Sequence, residues 1–159
     1  LCIDHLLKIL DMISGTPYIF ILETNGILIG SESWLAKKLE SYDNLVIRVS
    51  IKAASPEEFH KVTGADPRAY EYQLLALKNL VDAGMEPGER VYPAVMLSFS
   101  KPENIKELLE RIHNIHPDLL ASLDPEIIIM YPHVAKLLRK YCLKPTRCIS
   151  PEKIPDYMI

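Results

Sequence analysis

Cysteine is scarce in this sequence, and its few positions form no pattern that is typical of a disulfide framework or a metal site. The 159 residues include three cysteines, Cys2, Cys142 and Cys148. A disulfide-stapled secreted domain would need more of them at regular spacing, and none forms a Cys-x-x-Cys pair. We therefore expect a reducing, cytoplasmic compartment, with Cys142 and Cys148 either buried or without a role in ligation.

Long apolar runs and an excess of basic charge are also missing. No apolar run approaches the roughly 20 residues that a membrane span requires. The 18 basic and 21 acidic residues give a net charge of −3, which argues against a basic nucleic-acid-binding surface. The partners that remain are a small molecule or another protein.

The sequence also lacks the motifs of familiar catalytic and metal sites. Its six glycines form no phosphate-binding loop, and no nucleophile has a base in a known arrangement beside it. His113 and His116 are three residues apart, but they lie at the polar end of a predicted helix and are not expected to bind a metal. We therefore predict neither catalytic residues nor metal ligands in this chain.

Apolar segments alternate with amphipathic helical patterns along the chain, in which hydrophobic residues make up 48%. Four segments rich in β-branched and aromatic residues predict β-strands, at residues 16–23, 44–53, 91–100 and 125–132. The helical patterns lie at residues 1–13, 31–42, from 55, 66–84, from 100 and from 133. This alternation predicts an α/β fold with a parallel sheet and right-handed crossover helices.

Two segments carry the capping-box pattern of a helix start. Ser55 is followed three residues later by Glu58, and Ser100 has the same relation to Glu103. In this pattern the serine hydroxyl accepts a hydrogen bond from the first helical turn, and the glutamate reaches back to the serine. We therefore expect both serines to cap helices.

The segment ILETNGILIG, residues 21–30, admits two interpretations. An Asn-Gly pair between apolar runs is typical of a two-residue hairpin turn. The residues that follow, 31–42, have a helical pattern, and a strand that leads into a helix does not reverse into an antiparallel partner. We therefore predict that Asn25 and Gly26 end a parallel strand. Residues 27–30 would then be a loop with its own apolar plug, or a brief strand extension.

Polar residues follow the end of each predicted strand. Parallel α/β folds bind ligands at the carboxyl ends of their strands, where the loops are free of packing. The candidates are Glu23, Thr24, Asn25, Ser50, Lys52, Ser98, Ser100, Tyr131 and His133. Four of them have open alternatives: a surface lysine at Lys52, a solvent-facing helix residue at His133, a helix cap at Ser100 and a turn residue at Asn25.

Five short motifs resemble, in their order and spacing, the later part of the radical S-adenosylmethionine (SAM) enzymes. They are ETNG (23–26), VSIK (49–52), EEFHKVTG (57–64), QLLALKNLVDAG (73–84) and MYPH (130–133). The resemblance is to the pyruvate formate-lyase-activating-enzyme-like branch and to related archaeal proteins, and it covers most of residues 16–133.

That resemblance implies a fold, a cofactor and a set of binding residues. Residues 1–143 would form an incomplete domain, strands three to six of a partial (β/α) barrel with about four parallel strands and helices on the outside. Residues 144–159 would be a proline-containing tail. Around SAM the resemblance places Glu23, Asn25, Ser50 and Lys52 near the methionine and ribose, and Met96, Ser98, Tyr131 and His133 near the adenine.

The chain departs from the pattern of that family in its missing cluster motif. It has no C-x3-C-x2-C run, which would hold a [4Fe–4S] cluster, and no Gly-Gly-Glu type segment. We therefore expect an N-terminal portion of a longer parent to hold the cluster, and this fragment alone to be inactive. The intact parent would generate a 5′-deoxyadenosyl radical that abstracts hydrogen from a small-molecule or protein substrate.

Two other functions are compatible with the sequence. One is a small non-catalytic α/β ligand-binding domain, and the other is an aldolase-like lyase that forms a Schiff base on Lys52. The partial barrel makes a structural prediction of its own: residues 16–23 form an edge strand, or are covered by another copy or by the starting helix. An exposed edge would allow the chain to associate with itself.

Overall fold

The computed structural model describes residues 2–154, which form helices around one parallel sheet. The elements in chain order are α1 (Ile3–Ile13), β1 (Phe20–Thr24), α2 (Ile27–Ser31), α3 (Ser33–Glu40), β2 (Leu45–Ile51), α4 (Pro56–Thr63), α5 (Ala69–Ala83), β3 (Val91–Met96), α6 (Pro102–Ile115), α7 (Pro117–Ala121), β4 (Asp124–Glu126) and α8 (Pro132–Lys140). A 3-10 turn follows at Pro151–Lys153. No helix in the described part of the chain is long and apolar enough to cross a membrane.

The four strands lie side by side in chain order, β1-β2-β3-β4, and every neighbouring pair is parallel. The predicted α/β fold, with four parallel strands and helices packed around them, is confirmed and is consistent with a partial barrel. Among residues 2–154, β1 pairs with β2 alone. It is therefore an edge strand, as predicted for residues 16–23.

One face of the sheet supplies much of the hydrophobic core. In β2, Ile47, Val49 and Ile51 have no exposed surface, and Leu77 and Leu80 of α5 are equally buried. Burial of one such side chain contributes about 1.5–3 kcal/mol relative to leaving it in water. Because alternate strand residues point to opposite faces, the positions between these apolar residues belong to the other face of the sheet.

The residues after β1 form a short helix, so the loop or strand extension predicted for residues 27–30 is wrong. Asn25 Oδ1 accepts a hydrogen bond from the N–H of Ile27 at 3.1 Å, which starts the helical turn. Gly26 has a φ of +73°, a conformation that glycine adopts without strain. Asn79 of α5 then donates to the carbonyls at the end of α2. The prediction that the Asn-Gly pair ends a parallel strand is confirmed.

The fourth strand is much shorter than the predicted segment 125–132, because β4 has only three residues. Its neighbour β3 ends at Met96, so the apolar run has no strand beside it to continue along. The N–H of Ile128 donates instead to the Ser98 hydroxyl at 2.8 Å. Farther on, the chain pairs with Ile149 of the tail.

The third strand also ends before residue 100, and Ser100 does not cap α6 as predicted. The N-cap of α6 is Lys101, which makes no capping hydrogen bond through its side chain. Ser100 is fully buried, and its hydroxyl accepts a hydrogen bond from the N–H of Ala54 at 2.9 Å. Ser100 therefore joins the loop after β3 to the loop after β2.

The predicted cap at Ser55 is confirmed, because its Oγ accepts from the N–H of Glu58 at 3.3 Å. Glu58 does not complete the capping box. Its Oε1 accepts from the N–H of Lys101 at 3.0 Å and from Nδ2 of Asn104 at 2.7 Å. The starts of α4 and α6 are thereby joined.

The described part of the tail runs beside the ends of β3 and β4. Thr146 donates to the carbonyl of Ser98, from its N–H at 2.6 Å and from Oγ1 at 3.0 Å. The N–H of Ile149 donates to the carbonyl of Ile128 at 2.9 Å. Residues 155–159 of the predicted tail lie outside the described residues.

Candidate functional site

A row of side chains, all of them polar except Met96, occupies the sheet face opposite the core. We call it the polar face, and it consists of Glu23, Arg48, Ser50, Lys52, Met96, Asp124 and Glu126. The strand register places Glu23 beside Arg48 and Met96 beside Glu126. The row therefore crosses all four strands toward their carboxyl ends, where parallel folds bind ligands.

Arg48 is the centre of the polar face. Its Nη2 donates to Asp124 Oδ2 at 2.6 Å and to Glu126 Oε1 at 2.9 Å, and its Nη1 lies 3.7 Å from Glu23 Oε1. Burial lowers the pKa of Arg48, but the hydrogen bonds to the two β4 carboxylates outweigh it and hold the pKa above its ordinary value. A fixed positive charge thus links the carboxylates of β1 and β4.

Lys52 shares Glu126 with Arg48. Its Nζ donates to Glu126 Oε2 at 3.0 Å, so each carboxylate oxygen of Glu126 binds a different cation. The Lys52 side chain is 37% exposed and that of Glu126 only 20%. Glu23 is 65% exposed and has the longest of these contacts, which makes it the carboxylate of the polar face that a ligand can reach most easily.

A buried glutamine joins the carboxyl ends of β1 and β2. Gln73 of α5 has no exposed surface, and its Nε2 donates to the carbonyls of Asn25 at 3.0 Å and Ser50 at 2.8 Å. Its Oε1 is buried without a hydrogen-bond partner in the described residues. An unpaired buried polar atom costs free energy, so the two bonds made by Nε2 have to offset it. Gln73 fixes the backbone beside two predicted site residues.

Two other predicted site residues use their side chains in the local structure. Asn25 Oδ1 is bound to the N–H of Ile27, and the buried hydroxyl of Ser98 accepts from Ile128. Both lie at strand ends, as the sequence indicated. Their contact with SAM stays a prediction.

Tyr131 and His133 lie at the start of α8. Their rings stack with centroids 5.8 Å apart and planes 9° from parallel, and both side chains are exposed. In the described residues no hydrogen bond or ion pair connects them to the polar face. The structure thus brings Glu23, Ser50, Lys52 and Met96 to one face of the sheet, and Tyr131 and His133 stack on each other at the start of α8.

Four residues of the site were not predicted from the sequence: Arg48, Asp124, Glu126 and Gln73. Arg48 shares the two-residue alternation of Ser50 and Lys52, and that signal could have identified it. The two β4 carboxylates were hidden because the predicted strand was placed too far along the chain. Gln73 gave no sequence signal, since its role depends on where α5 lies against the sheet.

The side chains in residues 2–154 do not fit a [4Fe–4S] cluster. They contain no group of three or more His, Cys, Asp or Glu residues placed to bind a metal, and such a cluster requires several thiolates. All three cysteines are exposed, so the burial considered for Cys142 and Cys148 is wrong.

The chain is similar to a probable GTP 3′,8-cyclase of Methanosarcina mazei. The two are 29% identical over 114 residues, which is 65% of this chain and 31% of the cyclase. The chain therefore spans less than a third of the length of that relative. No family model matches the chain, and no solved structure matches it. The similarity is consistent with the resemblance to the radical SAM family and does not distinguish a branch within it.

Proposed function

We propose that this chain is the carboxyl-terminal part of a cytoplasmic radical SAM enzyme and that its polar face helps to hold SAM. The observation that carries the proposal is the row of charged side chains from β1, β2 and β4 on one face of the parallel sheet. The motif order, which is nearest to the pyruvate formate-lyase-activating-enzyme-like branch, supports it. The similarity to a probable GTP 3′,8-cyclase supports it as well.

The charges of the polar face match the two ends of an amino-acid group. SAM carries an ammonium and a carboxylate at its methionine end. Glu23 would accept hydrogen bonds from the ammonium, and Lys52 would donate to the carboxylate, both as charge-assisted contacts. Because Lys52 already pairs with Glu126, the SAM carboxylate would either join that pair or replace Glu126 in it.

The remaining contacts follow the strand ends. Ser50 lies in β2 between Arg48 and Lys52, so its hydroxyl would bind the ribose or the carboxylate. Gln73 would position Ser50 and Asn25 through their carbonyls. The adenine side would be formed by Met96, Ser98, Tyr131 and His133.

The [4Fe–4S] cluster of this proposal belongs to a longer parent, since the described residues do not fit it. The parent's upstream part would hold the cluster and supply the strands that complete the barrel beside β1. GTP is not proposed as a substrate of this chain, which spans 31% of the cyclase. The upstream part of the parent would therefore determine which class of substrate the enzyme binds.

SAM binding to the full-length parent, purified without oxygen and measured by calorimetry, tests the site. Glu23→Ala and Lys52→Ala are each expected to weaken binding by about tenfold, since each removes one charged partner of the zwitterion. Lys78→Ala is the matched control, because Lys78 pairs with Asp82 on the exposed side of α5 and is not part of the polar face. It should bind SAM as the parent does.

Three results would overturn the proposal. The first is a parent that does not bind SAM, and the second is an equal loss of affinity in Lys78→Ala and Lys52→Ala. The third is a parent whose sequence upstream of Leu1 contains no C-x3-C-x2-C run. Unfolding curves of each variant show whether a loss of binding is merely a loss of folded protein.

A further inference from the structure

A cavity lies where α4 and α6 begin, and it shares no lining residue with the polar face. Its volume is about 490 Å³, within the range of sites that hold a small organic molecule. It opens beside the loops after β2 and β3, at the carboxyl end of the sheet, where this class of fold has room for ligands. The described tail closes one side of it through Lys144 and Thr146.

Three lysines from three separate segments line this cavity. Lys61 belongs to α4, Lys101 precedes α6, and Lys144 lies in the tail. All three are exposed, and none forms an ion pair in the described residues. Like charges around one cavity repel one another, so an anion bound among them lowers the electrostatic energy.

The two helix starts add to the positive potential. A helix N-terminus carries a partial positive charge and unsatisfied N–H groups. α4 has eight residues and α6 has fourteen, and α6 begins without a side-chain cap of its own. The lysines are the main feature, and the helix starts reinforce the same preference for negative charge.

The two carboxylates of the cavity do not cancel this preference. Glu58 directs Oε1 to the N–H of Lys101 and to Asn104, so it serves to hold the two helix starts together. Its Oε2 is buried and has no partner in the described residues. Glu57 lies on the exposed side of the first turn of α4. Three ammonium groups therefore outnumber the two carboxylates and lie nearer to solvent than Glu58.

The cavity also has an apolar part. Val62 and Phe99 line it and are both half-buried. A bare inorganic anion would leave this surface uncovered, whereas an organic group attached to the anion would bury it. An aromatic ring is the best match for Phe99, because stacked or edge-on ring pairs add to the burial of area.

We propose that this cavity binds a phosphorylated small molecule, with its phosphate among Lys61, Lys101 and Lys144 and its organic part against Phe99 and Val62. A phosphate carries up to two negative charges and several acceptor oxygens, which suits three ammonium donors from different directions. The site is independent of the SAM site proposed above.

The test uses the 159-residue chain, labelled for amide NMR, at low ionic strength, where charge contacts are least screened. Phenyl phosphate and inorganic phosphate are the two probes. Phenyl phosphate should give saturable shifts confined to residues 55–62, 99–104 and 144–146. It should bind more tightly than inorganic phosphate, and Phe99→Ala should remove that advantage.

Two double variants separate a site from a general charge effect. Lys61→Ala with Lys144→Ala should weaken phenyl phosphate by about tenfold. Lys8→Ala with Lys37→Ala removes the same charge from α1 and α3 and should leave its affinity unchanged. Absence of saturable shifts overturns the proposal, as does an equal loss of affinity in both double variants. Neither result affects SAM binding, so the two sites can fail separately.

Discussion

The guanidinium of Arg48 in β2 binds the carboxylate of Asp124 in β4, with Nη2 2.6 Å from Oδ2. β3 lies between these two strands, so the contact spans two strand spacings, about 10 Å. Ala94 of β3 pairs with Asp124 in the register and has a small side chain, which leaves space for the arginine to pass. Because Arg48 also lies 3.7 Å from Glu23 of β1, one side chain ties β1, β2 and β4 together.

Arg48→Met tests the importance of this link for stability. The variant leaves the carboxylates of Asp124 and Glu126 close together without the guanidinium, so we expect the free energy of unfolding to fall by about 2–3 kcal/mol. The loss should stay below that of a fully buried pair, because the Asp124 side chain is 47% exposed. Urea unfolding of the 159-residue chain measures it.

Arg68→Met is the control for that measurement. Arg68 binds Asp66 on the surface, where the Arg68 side chain is 86% exposed, and exposed pairs contribute little. We expect its unfolding curve to match that of the parent chain. Equal losses in the two arginine variants would show that the position of Arg48 on the sheet does not matter.

The parts of the fold that depend on local pattern could be predicted from the sequence. The apolar alternation of β2 and the cap at Ser55 act within one element, and both were found. The length of β4 could not be predicted in this way, because it depends on where the neighbouring strand β3 ends. Glu58 illustrates the same limit, since its carboxylate leaves its own helix to bind Asn104 of α6.

The same distinction between local pattern and long-range contact applies to the candidate site. Period-two spacing identified Ser50 and Lys52 as neighbours on one face, and the structure places them there. The partners of Lys52 could not be predicted, because Glu126 is 74 residues away along the chain and only the sheet register brings the two together. Gln73 depends on a helix-to-strand contact that no local pattern records.

Gln73→Leu is expected to loosen the carboxyl ends of β1 and β2. The leucine keeps much of the volume but leaves the carbonyls of Asn25 and Ser50 without their donor, at a cost of about 1–3 kcal/mol. Amide exchange should speed up around residues 24–26 and 50–52. Asn79→Leu, which removes the donor to α2, should speed up exchange in α2 instead. The same exchange pattern in both variants would contradict a specific role for Gln73.

Gly30→Ala should destabilise the chain because α2 lies directly against α5. A Cβ at this position would overlap the backbone carbonyl of Tyr72, and that atom cannot move without bending α5. We expect a loss of about 3 kcal/mol, at the upper end for overpacking. At Gly64 an added Cβ meets nothing within 4 Å, but φ is +73°, so Gly64→Ala should cost about 1 kcal/mol through backbone strain alone. Thermal or urea unfolding compares the stabilities of the two variants. An equal loss of stability in Gly30→Ala and Gly64→Ala would refute the close packing of α2.

Tyr42 should make stability depend on pH in the alkaline range. Its hydroxyl donates to Asp11 Oδ1 at 2.6 Å, and this hydrogen bond, with burial, raises the pKa of Tyr42 to about 12. The ordinary value in an unfolded chain is about 10, so the folded state holds the phenol proton more tightly. The resulting stabilisation is fully present below pH of about 10 and is lost as the pH rises toward about 12.

Unfolding free energies of Tyr42→Phe across that pH range test this assignment. The variant lacks the ionisable hydroxyl, so its alkaline loss of stability should be smaller than that of the parent chain. A spectrophotometric titration should also show one phenol fewer titrating at the most alkaline pH. Identical pH profiles for the two proteins would rule out the Tyr42–Asp11 hydrogen bond as the cause.

The outer edge of β1 is expected to cause self-association of the 159-residue chain. Ile21 of β1 and Ile19 just before this strand are 55% and 71% exposed, and a largely apolar cavity of about 470 Å³ that includes Leu22 lies beside the strand. An unpaired strand edge with exposed apolar residues is a template for another strand.

Ile21→Lys places a charge in this edge strand and should shift the sedimentation coefficient of the chain toward that of the monomer. Leu137→Lys replaces an apolar residue of α8 that is similarly exposed, at 51%, and should leave the association unchanged. An equal shift in both variants would assign the association to general hydrophobicity instead of the β1 edge.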